Sequence, residues 1–157
     1  MTDAVIPEEL QVVKALIVDP GGRYLMQLRD DIPRIAYPGH WSLFGGAVEP
    51  GESDELGMRR ELEEELRFRP LEIRPIIRFE YSIPQHGIRL RRVAVFEVFI
   101  DANAFSDLEL REGADMAFLT VHELSAKSHA VPWDLCMVQM HARILPFPHL
   151  LAINPLG

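Results

Sequence analysis

Apolar positions in this chain fall into short runs with strand character and longer stretches with helical spacing. Leu10 to Val18 is rich in Val, Ile and Leu and stops at Asp19-Pro20-Gly21-Gly22, a turn signal. A second run, Tyr24 to Leu28, follows, so the two predict a hairpin. The polar stretch Arg29 to Gly39 contains Pro33 and Pro38 and reads as a loop bordering a site, leading to a short apolar stretch, Trp41 to Phe44. Beyond Gly45-Gly46 and Pro50-Gly51 a helix is expected, with Ser53 as N-cap and Asp54 and Glu55 in the first turn, where the helix dipole favours acids. Leu56, Arg59, Leu62 and Leu66 recur along it. Leu62 and Leu66 lie four apart and are expected to face the core, with the carboxylates mainly on other faces. Pro70 ends the helix or follows its end.

Two further strands are expected, Ile73 to Ser82 and Arg92 to Ile100, joined by Pro84-Gln85-His86-Gly87. A polar loop from Asp101 to Asp115 precedes a short strand, Ala117 to Thr120. A short helix around His122 to Ser125 comes next, then a longer one from Pro132 to about Arg143 with Leu135, Met137, Val138 and Ile144 as its apolar residues. Strands and helices alternate irregularly, which predicts an α/β fold: a mixed sheet with helices on both faces. No repeat, low-complexity tract or linker interrupts the chain, so residues 1–157 read as a single domain, with the end from Pro146 to Pro155 loosely held.

With 48% hydrophobic and 25% charged residues the composition is that of a globular domain rather than a disordered or fibrous one. The formal charge of −8 argues against binding duplex nucleic acid, which draws on clustered Lys and Arg. A small anionic substrate would need metal ions or a local basic patch to offset that field. Cys136 is the single cysteine, so no internal disulfide forms, and its place on an apolar helical stretch reads as a small core residue. MTDAVIPEEL has neither the basic start nor the apolar run of a secretion signal, and no stretch approaches the roughly 20 apolar residues that cross a bilayer. A cytoplasmic protein without membrane insertion is expected.

The chemistry concentrates after Gly46, where four of the five residues from 61 to 65 are glutamates. On a helix Glu61 shares a face with Glu64 and Glu65, so their charges repel. A helix serving stability alone would interleave cations. A solvated acidic face is one reading of the run. The other is a site for a hard divalent cation such as Mg²⁺, which takes oxygen ligands from a few carboxylates and completes its shell with water and substrate phosphates. Glu52 before the helix and Arg60 beside the first carboxylate favour the second reading, since Arg60 is placed to pair with an acid and hold it.

The segment resembles the Nudix box: a glycine, five residues, a glutamate, seven residues, Arg-Glu, an aliphatic, any residue, Glu-Glu, any residue, a glycine and an aliphatic. Gly46, Glu52, Arg60, Glu61, Leu62, Glu64, Glu65 and Phe68 fill it in register. Arg67 stands where the family has glycine and must either adopt a left-handed conformation or prolong the helix. The chain around the box is also similar to Nudix domains: a hairpin before it, Trp41-Ser-Leu-Phe-Gly-Gly leading in, and Phe118-Leu119 with the Glu123-Leu124 turn after it. The resemblance implies an α/β/α sandwich and metal ligation by Glu61, Glu64 and Glu65, with Glu52 as secondary ligand or support and Arg60 orienting the glutamates. The metal would be Mg²⁺, with Mn²⁺ as an alternative. The activity implied is hydrolysis of a diphosphate linkage in a nucleoside diphosphate derivative, such as a nucleoside triphosphate or nucleotide sugar. A nucleotide-binding sensor module that keeps the fold without turnover is the alternative, although such degenerate boxes lose carboxylates and this one keeps them. Homodimers are common in the family, and the tail after Pro146 is a candidate for an interface.

Family members often recruit a further acid from a downstream loop as ligand or general base. Glu112 is the first candidate and Glu109 the second, against the reading of either as a solvated loop residue. Without such a base, a helix carboxylate such as Glu64 takes the water proton. For substrate, Arg29 and Arg34 are candidates to pair with phosphate oxygens, and Gly46 borders the same region. Tyr37, His40, Trp41 and Phe44 are candidates to stack on a base, although Trp41 and Phe44 equally suit a core. His129 and His141 show no ligand spacing. A Nudix relative that isomerises isopentenyl diphosphate relies on a cysteine, and Cys136 lies far from the strands that would supply one.

Overall fold

The computed structural model describes residues 9–101 and 103–145. The tail from Pro146 onward, expected to be loosely held and a candidate interface, lies outside them, as do the first eight residues. Among the described residues seven strands and three α-helices run in the order β1 (Glu9–Val18), β2 (Tyr24–Leu28), β3 (Trp41–Ser42), β4 (Phe44–Ala47), α1 (Asp54–Leu66), β5 (Arg74–Ile83), β6 (Ile88–Phe99), β7 (Asp115–Leu119), α2 (Val121–Ala126) and α3 (Pro132–Ile144). The strands form one mixed sheet in the order β3-β2-β1-β6-β5, with β4 also on β1 and β7 also on β2. Among the described strands β1 and β6 run parallel, in register from Glu9↔Leu90 to Val18↔Phe99, and the other pairs are antiparallel.

Strand alternation sorts the side chains into two cores. Val13, Ala15 and Ile17 of β1 and Ala94, Phe96 and Val98 of β6 face α1, where Met58, Leu62 and Leu66 are buried. Leu16 and Val18 with Val93 and Val95 face the other way, against Leu124 of α2 and Val138 of α3. Helices therefore cover both faces, as the irregular alternation of elements predicts. Leu62 and Leu66 face the core as expected, but Leu56 is exposed and Met58 takes the inward position, because 58, 62 and 66 share one stripe and 56 does not. Cys136 corrects the sequence reading: it is exposed, on the outer face of α3.

Trp41 to Phe44 is not one strand but two. β3 pairs with β2, and after Leu43 the chain changes partner, β4 pairing with β1 at Val12↔Ala47 to Ala15↔Phe44. β1 and β2 meet only at Val18↔Tyr24 before diverging. Lys14, Gln27 and Ser42 lie at the opening so created and line a cavity of the surface.

One polar chain crosses the second core. The Tyr24 hydroxyl bonds His141 Nδ1 at 2.8 Å, His141 Nε2 bonds Glu97 Oε2 at 2.5 Å, and Arg74 Nη2 donates to Glu97 Oε1 at 2.5 Å. An Nε2–H directed at the carboxylate leaves Nδ1 free to accept from the tyrosine, so both ring nitrogens of His141 are matched, while Arg74 Nε is buried without a partner. Among the described residues no helix is long and apolar enough to cross a membrane.

Candidate active site

Ser53 caps α1 as expected, its hydroxyl accepting from Leu56 N at 3.2 Å, and sets the helix so that its glutamates approach the Gly45-Gly46 strand. Two glycines make that approach feasible. At Gly45, φ is +137° and a Cβ would lie 2.0 Å from the Val13 carbonyl oxygen, so only glycine lets β4 pass β1. At Gly46 a Cβ would meet the Glu61 carboxyl carbon and oxygens at 2.6 to 2.8 Å. The missing side chain is the space in which the Glu61 carboxylate sits.

Arg60 organises the cluster. Its Nε and Nη2 donate to the two oxygens of Glu52 at 2.9 and 3.0 Å, its Nη1 donates to Glu61 at 2.9 Å and to Glu64 at 3.1 Å, and Nη2 also donates to the Ala47 carbonyl at 2.9 Å. These five bonds use the five N–H groups of a guanidinium, a set that lysine cannot supply. Hydrogen bonding to Arg60 holds the Glu52 carboxyl below its usual range, and Glu52 in turn accepts from Glu49 N at 3.0 Å. The same bonds keep Arg60 firmly protonated.

Glu61 and Glu65 are burdened differently. Burial pushes the Glu61 carboxyl up, Arg60 opposes this, and the charges of Glu64 and Glu112 add to the rise. Glu65 is buried despite the expectation that the carboxylates lie mainly on other faces, and its Oε2 accepts from Gly45 N at 2.9 Å. Burial first, with help from Glu61 and Glu112, raises its pKa to about 8, against the relief from Gly45 N–H and Lys14. Negative charge therefore exceeds what Arg60 and Lys14 compensate, and the donors are all hard oxygens. That chemistry fits a divalent cation such as Mg²⁺ or Mn²⁺. Among the described residues no three carboxylate or imidazole groups are yet gathered around a point, because Glu64 turns outward to Arg60 and Glu65 inward to Gly45.

Glu61, Glu65 and Gly46 line the cavity at the split of the sheet, and Glu112 and Arg29 line it too. Glu112 thus stands with the helix glutamates, whereas Glu109 pairs with Arg67 at 3.0 Å and lies off the cavity. Glu64 and Glu52 stand behind, reached through Arg60. Two expected substrate contacts are corrected. Phe44 is fully buried in the core facing α1, and Trp41 lies beneath Lys127, whose Nζ is 5.2 Å from its ring; neither lines the cavity. Their alternation places Phe44 inward and Trp41 beyond the partner change. Arg34 is exposed and lies off the cavity, as does His40, whose ring meets that of His129.

The aromatic wall is instead Tyr37, Tyr81 and Trp133. Tyr81 and Trp133 stack with centroids 4.7 Å apart, and Tyr37 meets Trp133 edge-on at 5.1 Å. Burial and the nearby charge of Asp134 push Tyr81 up to about 12. Of these three only Tyr37 was expected, since Tyr81 reads as an ordinary strand residue and Trp133 as a helix residue. Lys14 and Asp134 were missed as well. A lone cation within Val12-Val13-Lys14-Ala15-Leu16 was the available signal, because a buried strand carries a charge only where something faces it.

Three comparisons bear on this arrangement. The family model for the NUDIX domain matches residues 9–139. The nucleoside triphosphatase NudI of Escherichia coli is 47% identical over 55 residues, which are 35% of this chain and 38% of that protein, so the match spans well under half of the relative. Among solved structures, the MutT protein of Methanosarcina mazei Go1 superposes with a TM-score of 0.72 at 21% identity, covering 86% of this chain and 94% of that one. The NUDIX domain of Shewanella oneidensis NrtR, crystallised with ADP ribose, superposes with a TM-score of 0.72 at 16% identity, over 89% and 90%. These likenesses bear on fold.

Proposed function

The chain belongs to the Nudix family, and we propose that it is a single-domain cytoplasmic pyrophosphohydrolase that cuts a diphosphate linkage in a nucleoside diphosphate derivative, a nucleoside triphosphate foremost. The observation that carries this reading is the use of four of the five Arg60 donors to array Glu52, Glu61 and Glu64 at the edge of a cavity that Glu61, Glu65 and Glu112 line and aromatic rings wall. The short but close similarity to a nucleoside triphosphatase supports the substrate class.

Glu61, Glu64 and Glu65 would hold the metal, Mg²⁺ or Mn²⁺, with Glu52 supporting through Arg60. A bound divalent cation supplies polarisation of a phosphoryl oxygen, compensation of charge on the leaving phosphate and a more acidic water. The protein's own groups do the rest. Arg60 holds Glu52 and Glu61 in place before substrate arrives, and Glu64 would turn from Arg60 to join Glu61 and Glu65 about the metal. Arg29 spends its Nε on the Ala36 carbonyl at 2.8 Å and lines the cavity, where its remaining donors would pair with phosphate oxygens. Glu112 faces the cavity close enough for its charge to raise both Glu61 and Glu65, which supports it as the group that would take the proton of the attacking water. The base rests against Tyr37, Tyr81 and Trp133.

The test is release of phosphate or diphosphate from nucleoside triphosphates, nucleotide sugars and dinucleotides, with Mg²⁺ and with chelator, for wild type and Glu64→Gln. Turnover that needs metal and collapses in the variant is expected. Binding of nucleotides without any turnover would replace the hydrolase with a sensor module.

A further inference from the structure

Two polar side chains of the cavity, Ser42 and Asp134, have no part in the chemistry above, and a third, Lys14, enters it only through its charge near Glu65. Ser42 is 1% exposed, lines the cavity, and its Oγ has no hydrogen-bond partner. A buried hydroxyl without a partner is uncommon and points to a group that arrives from outside. Asp134 is 2% exposed and also lines the cavity, its Oδ2 accepting from Leu43 N at 2.9 Å. Lys14 donates to the Leu43 carbonyl at 3.3 Å and lies 3.8 Å from Asp134 Oδ2. Lys14 and Asp134 thus meet at one residue, Leu43, directly after Ser42, and the stacked rings of Tyr81 and Trp133 line the same cavity.

Their hydrogen-bonding characters differ. Lys14 only donates, the Asp134 carboxylate only accepts, and Ser42 does either. With Lys14 Nζ 3.8 Å from Asp134 Oδ2, the floor offers an acceptor beside a donor, and Ser42 lines the same cavity. A planar ring laid against the aromatic wall meets this floor with its edge. The complementary edge has an N–H flanked by a carbonyl. A ring nitrogen carrying a lone pair would instead be set against the carboxylate.

We propose that Lys14, Ser42 and Asp134 select the base, favouring one whose pairing-edge ring nitrogen carries hydrogen beside a carbonyl, as in guanine, uracil and thymine, over adenine and cytosine. The assignment rests on the cavity being a nucleotide site, and it names residues for choosing among nucleotides rather than for cutting them. A site built to hydrogen-bond a substrate group rejects the analogue that cannot reciprocate far more strongly than an apolar pocket rejects a difference in size.

Binding separates this assignment from the hydrolase reading because it needs no turnover. Quenching of tryptophan fluorescence by GDP against ADP, and by UDP against CDP, compares bases of matched size. The wild type is expected to bind the first of each pair at least about 100-fold more tightly. In Asp134→Asn the side-chain carbonyl still accepts from Leu43 N, while an NH₂ replaces the free oxygen, so both ratios are expected to fall to unity or invert. Ser42→Ala, which removes a buried hydroxyl without adding bulk, is expected to shrink both ratios as well. Equal affinities in the wild type, ratios unmoved in both variants, or no binding of any of the four nucleotides would overturn the assignment. Preference without hydrolysis would keep it and overturn the hydrolase, and hydrolysis without preference would do the reverse.

Discussion

Arg60 is the residue on which the cluster depends, and its role is geometric as much as electrostatic. Lysine keeps the charge but has three donors on one atom, so it cannot span Glu52, Glu61, Glu64 and Ala47 together. Arg60→Lys is expected to lower kcat/KM by roughly 10- to 100-fold, the usual cost of losing a group that orients metal ligands. Steady-state kinetics beside a thermal melt would check this, the melt changing little. Gly45 and Gly46 make a sharper pair. Alanine at 46 meets the end of a movable side chain, whereas alanine at 45 meets backbone at 2.0 Å in a conformation foreign to L-residues. Gly46→Ala should therefore fold and lose activity, and Gly45→Ala should fail to fold, a contrast that circular dichroism and kinetics separate. A Gly45→Ala protein as stable as wild type would contradict the close approach of β4 to β1.

At the level of elements, α1 shows what local rules convey. Its cap, its acidic first turn and its core leucines follow from short-range chemistry and were legible in the sequence, as were the strand candidates to within a few residues. Its end is Arg67 at φ 52° and ψ 36°, with Arg67 N bonding Glu63 O and Phe68 N bonding Leu62 O, so the left-handed alternative to a longer helix is the one adopted. An L-residue in that conformation costs about 1–2 kcal/mol. Arg67→Gly is thus expected to stabilise the protein by about 1 kcal/mol, the exposed pair with Glu109 contributing little. Denaturant midpoints for the two proteins check it, and a lower midpoint for the glycine variant would count against strain at this cap. The break between β3 and β4 was not legible, because it depends on which strand lies alongside. The aromatic wall was not legible for the same reason: Tyr37, Tyr81 and Trp133 come from a loop, β5 and α3, and no spacing relates them. The glutamates could be read because one helix carries them; the groups facing the base come together only in the fold.

Across the whole molecule, the chain from Tyr24 through His141 and Glu97 to Arg74 fastens α3 to the sheet, and α3 carries Trp133 and Asp134. Burial pushes the Glu97 carboxyl up, but His141 and Arg74 outweigh it and hold the group below its ordinary 4.5. As pH falls, the unfolded chain takes up this proton before the folded one does. The stabilisation is thus complete above about pH 4.5 and is lost as pH drops through the lower folded value. Glu97→Gln is expected to cost about 3 kcal/mol near neutrality, as breaking a buried pair does, and the gap from wild type should narrow in acid. Urea titrations across that range would show it, and a gap that widened on acidification would contradict the assignment.

The glutamate cluster as a metal site is tested most directly by following turnover of a nucleoside triphosphate as Mg²⁺ is titrated, for wild type and Glu61→Gln. Turnover should be absent with chelator and rise to saturation with Mg²⁺ in the wild type, and fall at least about 100-fold or demand far more metal in the variant. Turnover independent of Mg²⁺, or unchanged by Glu61→Gln, would contradict the account.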